Sequence, residues 1–192
     1  MTLWLDPVCP FSWNTARWLT SVAGSAGFAV ELQLMNLAIL NEGHDVPPEK
    51  QPQMDDSKRL GRLMTAIRTE VGPEGLAAAY FAFGKQYFDR SAALDDQLAE
   101  HLLAAADARQ TTVDALADTT LDPSVRQSHR AGQEALGETG GSPIVRINGQ
   151  TFFGPVLTTV PNPAAGRELF DSVAVLAATP EFSQLQRPRA HP

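Results

Sequence analysis

The chain holds a single cysteine in 192 residues, so no internal disulfide staples it and its core has to hold the fold. Apolar runs are short and broken by charge, which argues against a membrane-spanning segment and sets the expectation of no membrane partner. Basic residues are scarce: 15 Lys and Arg stand against 22 Asp and Glu, a formal net charge of −7. That balance disfavours non-specific attraction to nucleic acid. Four histidines are scattered along the chain, and with one cysteine they make no metal-ligand pattern, so no metal is expected. Gly140-Gly141 precedes a strand pattern and not a helix, which leaves no phosphate cradle for a nicotinamide or flavin nucleotide. No basic-then-apolar leader precedes the first strand, and the expected location is cytoplasmic.

What is present is enough to bury a full core, at 43% hydrophobic and 19% charged residues. The length fits one domain, or one domain carrying a large insertion. Thr2 to Leu5 is short and apolar and predicts a buried strand. Pro10 suits the first turn of a helix, where its missing N–H costs nothing. Trp13, Arg17, Trp18 and Val22 keep helical spacing to about Ser25, with Gly24 and Gly27 ending the run. Val30, Leu32 and Leu34 then alternate with polar residues as in a half-buried strand. A strand–helix–strand crossover of this kind implies a parallel pair.

From residue 50 the period is helical throughout. Leu60 to Val71 marks one helix and Leu76 to Phe88, after Gly72-Pro73, a second. Leu94 to Leu103 marks a third, and Thr112 to Leu116 suggests a short fourth. Asp122-Pro123 reads as an N-cap followed by proline at the first helical position, opening a fifth. Residues 50–136 are therefore expected to form an inserted all-helical block, and 1–49 with 137–192 the α/β frame. That frame resumes with Ile144 to Ile147 facing Gln150 to Phe153 across Asn148-Gly149, a strong hairpin signal. Asn162-Pro163 opens a last helix, and the proline- and arginine-rich tail from Gln186 is expected to be loose.

Cys9 falls where the first strand hands over to the first helix. The orphan N–H groups and positive dipole end of a helix start favour a thiolate, so a lowered thiol pKa and a nucleophilic role are expected. The bland alternative is a small buried hydrophobe. A Cys-Pro pair at the open end of a sheet argues for chemistry instead. Ser12 stands three residues on, where a Cys-x-x-Cys motif would carry its second thiol. Its hydroxyl can donate to a Cys9 thiolate or help satisfy the helix start, but it cannot close a disulfide. His129 lies on the helix that returns to the sheet, where packing is the commoner role of a lone histidine. Its titration range still suits proton handling. His44, His101 and His191 show no pattern with Cys9. Tyr80, Phe81, Phe83, Tyr87 and Phe88 read as the core of the helical block before they read as a substrate wall.

The order of elements and several loop segments resemble the DsbA-like thioredoxin-fold proteins, and within them the actinobacterial mycothiol-dependent nitroreductase family. The matching stretches are Asp6-Pro7-Val8-Cys9-Pro10 through Trp13, Arg17-Trp18 and Leu37 to Glu42. Later matches are Ser128-His129 with Ala131-Gly132, Gly141-Ser142-Pro143, and Asn148-Gly149 through Leu157. The resemblance implies an α/β thioredoxin-like fold with an inserted helical lid, and a low-molecular-weight thiol, mycothiol, as reductant, with glutathione as the alternative. It implies Cys9 as nucleophile, Pro143 as a cis-proline facing it, and His129 and Asn41 at the border of the thiol or substrate pocket. Pro10, Phe11, Trp13 and the backbone of Ser142 complete the expected binding surface.

Two departures from the family bear on mechanism: Ser12 replaces its second cysteine, and Phe11 its tryptophan. The expectation is a thiol-dependent oxidoreductase working by a monothiol route on a disulfide or electrophilic substrate, released by a second thiol molecule. The serine is also similar to the kappa-class transferases and related isomerases, although those carry serine where Cys9 stands. A thiol S-transferase or isomerase, or a non-catalytic thiol-binding module, is the alternative. The inserted helices offer a surface for a homodimer.

Overall fold

The computed structural model describes residues 1–188; His191 and the end of the tail lie outside the described residues. Strand β1 (Thr2–Leu5) is the centre of the fold. Its period of two sends Leu3 and Leu5 into the large core and Trp4 to the opposite face, where Trp4 meets Met35 and Ile144. Strand β2 (Glu31–Leu34) pairs with β1 in parallel, Leu5 opposite Leu34, as the crossover through helix α1 (Pro10–Ala26) requires.

Strands β3 (Ile144–Ile147) and β4 (Gln150–Phe153) form the expected antiparallel hairpin. Its turn residues Asn148 and Gly149 have φ of 51° and 83°, the positive pair that a two-residue turn of this hand demands. Because β3 also runs antiparallel to β1, the sheet order is β2-β1-β3-β4.

Two helices cover the Leu3/Leu5 face. Helix α1 starts with Pro10 in its first turn and closes at Gly27. Helix α6 (Pro163–Ala177) is capped by Asn162, whose side chain accepts from the Ala165 N–H at 3.0 Å. The indole of Trp18 donates across the α1/α6 contact to the Gly166 carbonyl at 2.8 Å. On the Trp4 face lies helix α5 (Asp122–Leu136), where a Cβ at Gly132 would sit 3.0 Å from the indole. Between β2 and α5 run a short helix α2 (Leu37–Leu40), a long helix α3 (Gln51–Tyr87) and helix α4 (Asp96–Ala106).

The two runs read on either side of Gly72-Pro73 are joined in α3, kinked at Gly72 with φ 77°. That backbone favours glycine, and Pro73 follows without an N–H to bond back. One local expectation fails. Asp122 does not cap α5; it is the first helical residue, and Arg62 holds its carboxylate at 2.6 and 2.9 Å. A two-pronged guanidinium contact outweighs capping. Helix α2 had no periodic signal because it is one turn long, started by Asn36 accepting from the Ile39 N–H at 3.0 Å. Among the described residues no helix is long and apolar enough to cross a membrane.

The second half of α3 meets α1 without clearance. A Cβ at Gly84 would lie 2.3 Å from the Trp13 ring, whereas one at Gly24, also helical, meets nothing within 4 Å. Gly84→Ala is expected to lower stability by about 1–3 kcal/mol through overpacking. Gly24→Ala should raise it by up to about 1 kcal/mol through helix propensity. Urea unfolding of the two variants beside the parent chain checks both signs.

Candidate active site

Strand pairing brings the site together. Continuing the β1/β3 register two residues past Trp4↔Ile144 sets Ser142 opposite Asp6. The Asp6 N–H donates to the Ser142 hydroxyl at 2.8 Å. Beyond Asp6 the chain turns: the Val8 N–H returns to Asp6 Oδ1 at 2.8 Å and the Cys9 N–H to the Asp6 carbonyl at 3.0 Å. This Asx-type turn delivers Cys9 as the N-cap residue of α1, in extended backbone with φ −84° and ψ 116°.

At that position the Cys9 Sγ–H donates to the Ser142 carbonyl at 3.3 Å. The next bond in the chain, Ser142–Pro143, is cis, and the Pro143 carbonyl accepts from the Gly154 N–H at 2.8 Å. Ser12, fully buried, places its hydroxyl 2.5 Å from that of Ser142. Cysteine, both serines and the proline therefore meet at one point, from segments 130 to 133 residues apart.

The electrostatics run against the expected low thiol pKa. Cys9 is only 4% exposed, and burial pushes its thiol above the ordinary value. The Ser12 hydroxyl and the N–H groups of Ser12 and Phe11 pull it back in part, while the Asp6 charge adds to the rise. The helix start acts as expected, but desolvation by burial is larger. Of the residues that follow, Pro10 is exposed and Phe11 half-buried. Trp13 is buried behind it, its indole N–H donating to Asp89 at 3.3 Å, and it packs on Tyr80, Phe81 and Phe88 at centroid distances of 5.9–6.0 Å.

Asp6 is the residue the sequence reading left out. Its carboxylate, wholly buried, accepts from the Leu37 N–H and the Ser57 hydroxyl, both at 2.5 Å, besides Val8. Burial raises its pKa to about 6, against the lowering effect of those three donors. An acid ending an apolar strand was the available signal.

His129 and Asn41 sit beyond this point. The His129 Nδ1 accepts from the Asn36 N–H at 3.3 Å, so the neutral ring carries its proton on Nε2, and burial lowers its pKa. This bond supports the turn into α2. Asn41 donates to the Leu37 carbonyl at 2.8 Å and borders a cleft of about 210 Å³ with His44, Gln51, Met54 and Lys58. That cleft is joined to the cysteine loop by Gln53, which donates to the Val8 carbonyl at 2.9 Å. Among the described residues no three His, Cys, Asp or Glu side chains cluster as metal ligands.

Comparison with known proteins places this architecture. The model of the Rv2466c-like family, described as mycothiol-dependent nitroreductase Rv2466c, matches residues 8–187. The uncharacterized protein Rv2286c of Mycobacterium tuberculosis is 28% identical over 191 residues, 96% of this chain and 80% of that protein. A solved 2-hydroxychromene-2-carboxylate isomerase superposes with a TM-score of 0.61 at 15% identity, covering 93% of this chain and 95% of the other. A putative protein disulfide isomerase from Nitrosomonas europaea gives 0.52 at 13%, covering 89% and 96%. One from Pseudomonas syringae gives 0.50 at 19%, covering 87% and 90%. The fold is α/β and thioredoxin-like, with a helical insertion.

The raised Asp6 pKa has a consequence for stability. An unfolded Asp titrates near 3.8 and the folded one near 6, so between those values the folded chain binds more protons at this site. The Asp6 contribution is therefore full below about pH 4 and is lost as pH rises through about 6, on the order of 3 kcal/mol. Urea unfolding from pH 4 to 7 should show Asp6→Asn with a flatter pH dependence than the parent chain. Parallel curves would rule out Asp6 as the titrating group.

Proposed function

The chain belongs to the Rv2466c-like family of mycothiol-dependent nitroreductases, and on that premise we propose a thiol-dependent oxidoreductase that works through the single thiol of Cys9, with mycothiol as its reductant. The observation that carries this reading is the pairing of Cys9 with the Ser142 carbonyl, next to Pro143, while a hydroxyl occupies the Ser12 position.

The chemistry follows from that set of groups. A Cys9 thiolate attacks one sulfur of a disulfide, forms the mixed disulfide and expels the other sulfur as thiolate. Ser12 has no sulfur with which to displace the adduct, so a mycothiol thiolate attacks the mixed disulfide. It forms a new disulfide with the bound sulfur and returns Cys9 as thiolate. During the adduct stage the Ser142 backbone lies alongside the incoming chain, and Ser12 donates to sulfur. The cleft bordered by Asn41, His44, Gln51 and Lys58 supplies polar groups suited to a sugar-bearing thiol. A cytoplasmic setting, where thiols are kept reduced, suits a lone exchanging cysteine.

The raised thiol pKa of Cys9 favours one second reading, in which the small thiol is itself the nucleophile and the protein a thiol S-transferase or isomerase. The two readings part at Cys9→Ser. On oxidised mycothiol, the parent chain should gain one mycothiol mass at Cys9, removable by reduced mycothiol, and Cys9→Ser none. A parent chain that stays unmodified across neutral and alkaline pH would end the monothiol reading. Retained turnover in Cys9→Ser would favour the second. Ser12→Cys should gain disulfide reductase turnover, because the attacking and resolving thiols would then share one helix turn.

A further inference from the structure

Helix α2 is one turn long, and side chains take the four N–H groups at its start. The Asn36 N–H donates to His129 Nδ1 on α5 at 3.3 Å, and the Leu37 N–H to Asp6 Oδ2 at the end of β1 at 2.5 Å. The Ala38 N–H donates to the Ser57 hydroxyl on α3 at 3.2 Å, and the Ile39 N–H to Asn36 Oδ1 at 3.0 Å. A helix start commonly leaves such donors to water. Here Asn36 is only 1% exposed, so water cannot take over its N–H if the acceptor fails.

Only one of the four acceptors can fail outright. Ser57 and Asn36 do not titrate, and a protonated Asp6 keeps lone pairs that accept. An imidazolium has two N–H donors and no acceptor. Protonating His129 sets a donor at Nδ1 against the Asn36 N–H, and the bond is lost. Burial is the largest influence on the ring and keeps it neutral below its ordinary range; Glu42 opposes this and Arg126 adds to it. Glu42, just past α2, is itself held by Arg126 at 2.6 and 2.7 Å and lies in the field of Lys58 on α3. The other charges on the packed elements are paired among themselves, Arg62 with Asp122 and Arg68 with Glu31 of β2.

What α2 carries gives this anchor a use. Ala38 stands in the wall of the 210 Å³ cleft, and Asn41, the residue that ends α2, borders it. We propose that His129 is a positioning residue for this cleft: its neutral ring anchors the start of α2, and protonation at Nδ1 releases it, so that the cleft grips a ligand at neutral pH and loosens in acid. The contacts of Asn36 and Ala38 with Ser57 do not involve the ring, so release loosens the helix start without detaching it from α3. A histidine makes the anchor conditional, where a side-chain amide in its place would make it permanent. The effect on mycothiol rests on the reading of the cleft as a thiol site; the anchor itself does not.

The test pairs His129→Asn, whose amide oxygen can stand where Nδ1 does and cannot titrate, with His129→Leu, which has no acceptor at any pH. Nuclear magnetic resonance from pH 4 to 8 would follow the His129 ring and the protection of the Asn36 amide against hydrogen exchange. In the parent chain that protection should fall about tenfold as the ring protonates, with one shared midpoint. It should stay level in His129→Asn and be low throughout in His129→Leu. The Kd for reduced mycothiol should rise about tenfold over the same range in the parent and less than about twofold in His129→Asn. Asp6 is present in every chain, so its titration cancels from the comparison. A ring that stays neutral to pH 4, or one that protonates while the Asn36 amide keeps its protection, would overturn the proposal. So would parallel binding curves for the parent and His129→Asn. If no chain binds mycothiol, the thiol reading of the cleft falls, and the amide data still decide the anchor.

Discussion

The carboxylate of Asp6 is where the separate parts of this protein are tied. It accepts from the Val8 N–H, which shapes the turn into Cys9, from the Leu37 N–H, which starts α2, and from Ser57 on α3. Its own N–H donates to Ser142 before Pro143. Sheet, cysteine loop, inserted helix and proline loop thus converge on one buried residue. The arrangement costs the acid its normal ionisation, since burial raises its pKa to about 6. Three donors to one carboxylate recover part of that cost and fix its orientation. Loss of any one contact would free a different segment around the sulfur.

The same burial governs Cys9. A helix start, the Ser12 hydroxyl and two backbone N–H groups all favour the thiolate, yet burial keeps the resting thiol above its free value. A covered thiol is protected from adventitious oxidation, which follows exposure and thiolate character. Any thiolate formed there depends on donors that engage the sulfur. Ser12, one helix turn on, is one such group. The α/β frame supplies the thiol, the Ser12 hydroxyl and the Ser142 carbonyl that meet it.

Much of this was legible along the chain because the signals are local. A short apolar run, an Asn-Gly pair between apolar strands, an Asn-Pro helix start and a Cys-Pro at a strand end each carry their cause within a few residues. Asp6, Ser57 and α2 were not legible, since their roles exist only between segments 31 to 136 residues apart. Asp122 shows the converse: a sound local capping signal yielded to Arg62, 60 residues away. His129 was raised by resemblance, and the fold turned its imidazole to the Asn36 backbone.

By itself the sequence determined the strand–helix–strand start, the hairpin, the helical block and the presence of one thiol without a resolving partner, because period, turn chemistry and residue identity are properties of short segments. The tertiary structure alone decided that this thiol is covered and that an acid and two serines surround its loop. Desolvation and long-range hydrogen bonding arise only when distant segments exclude water together, and these are what set the chemistry of Cys9.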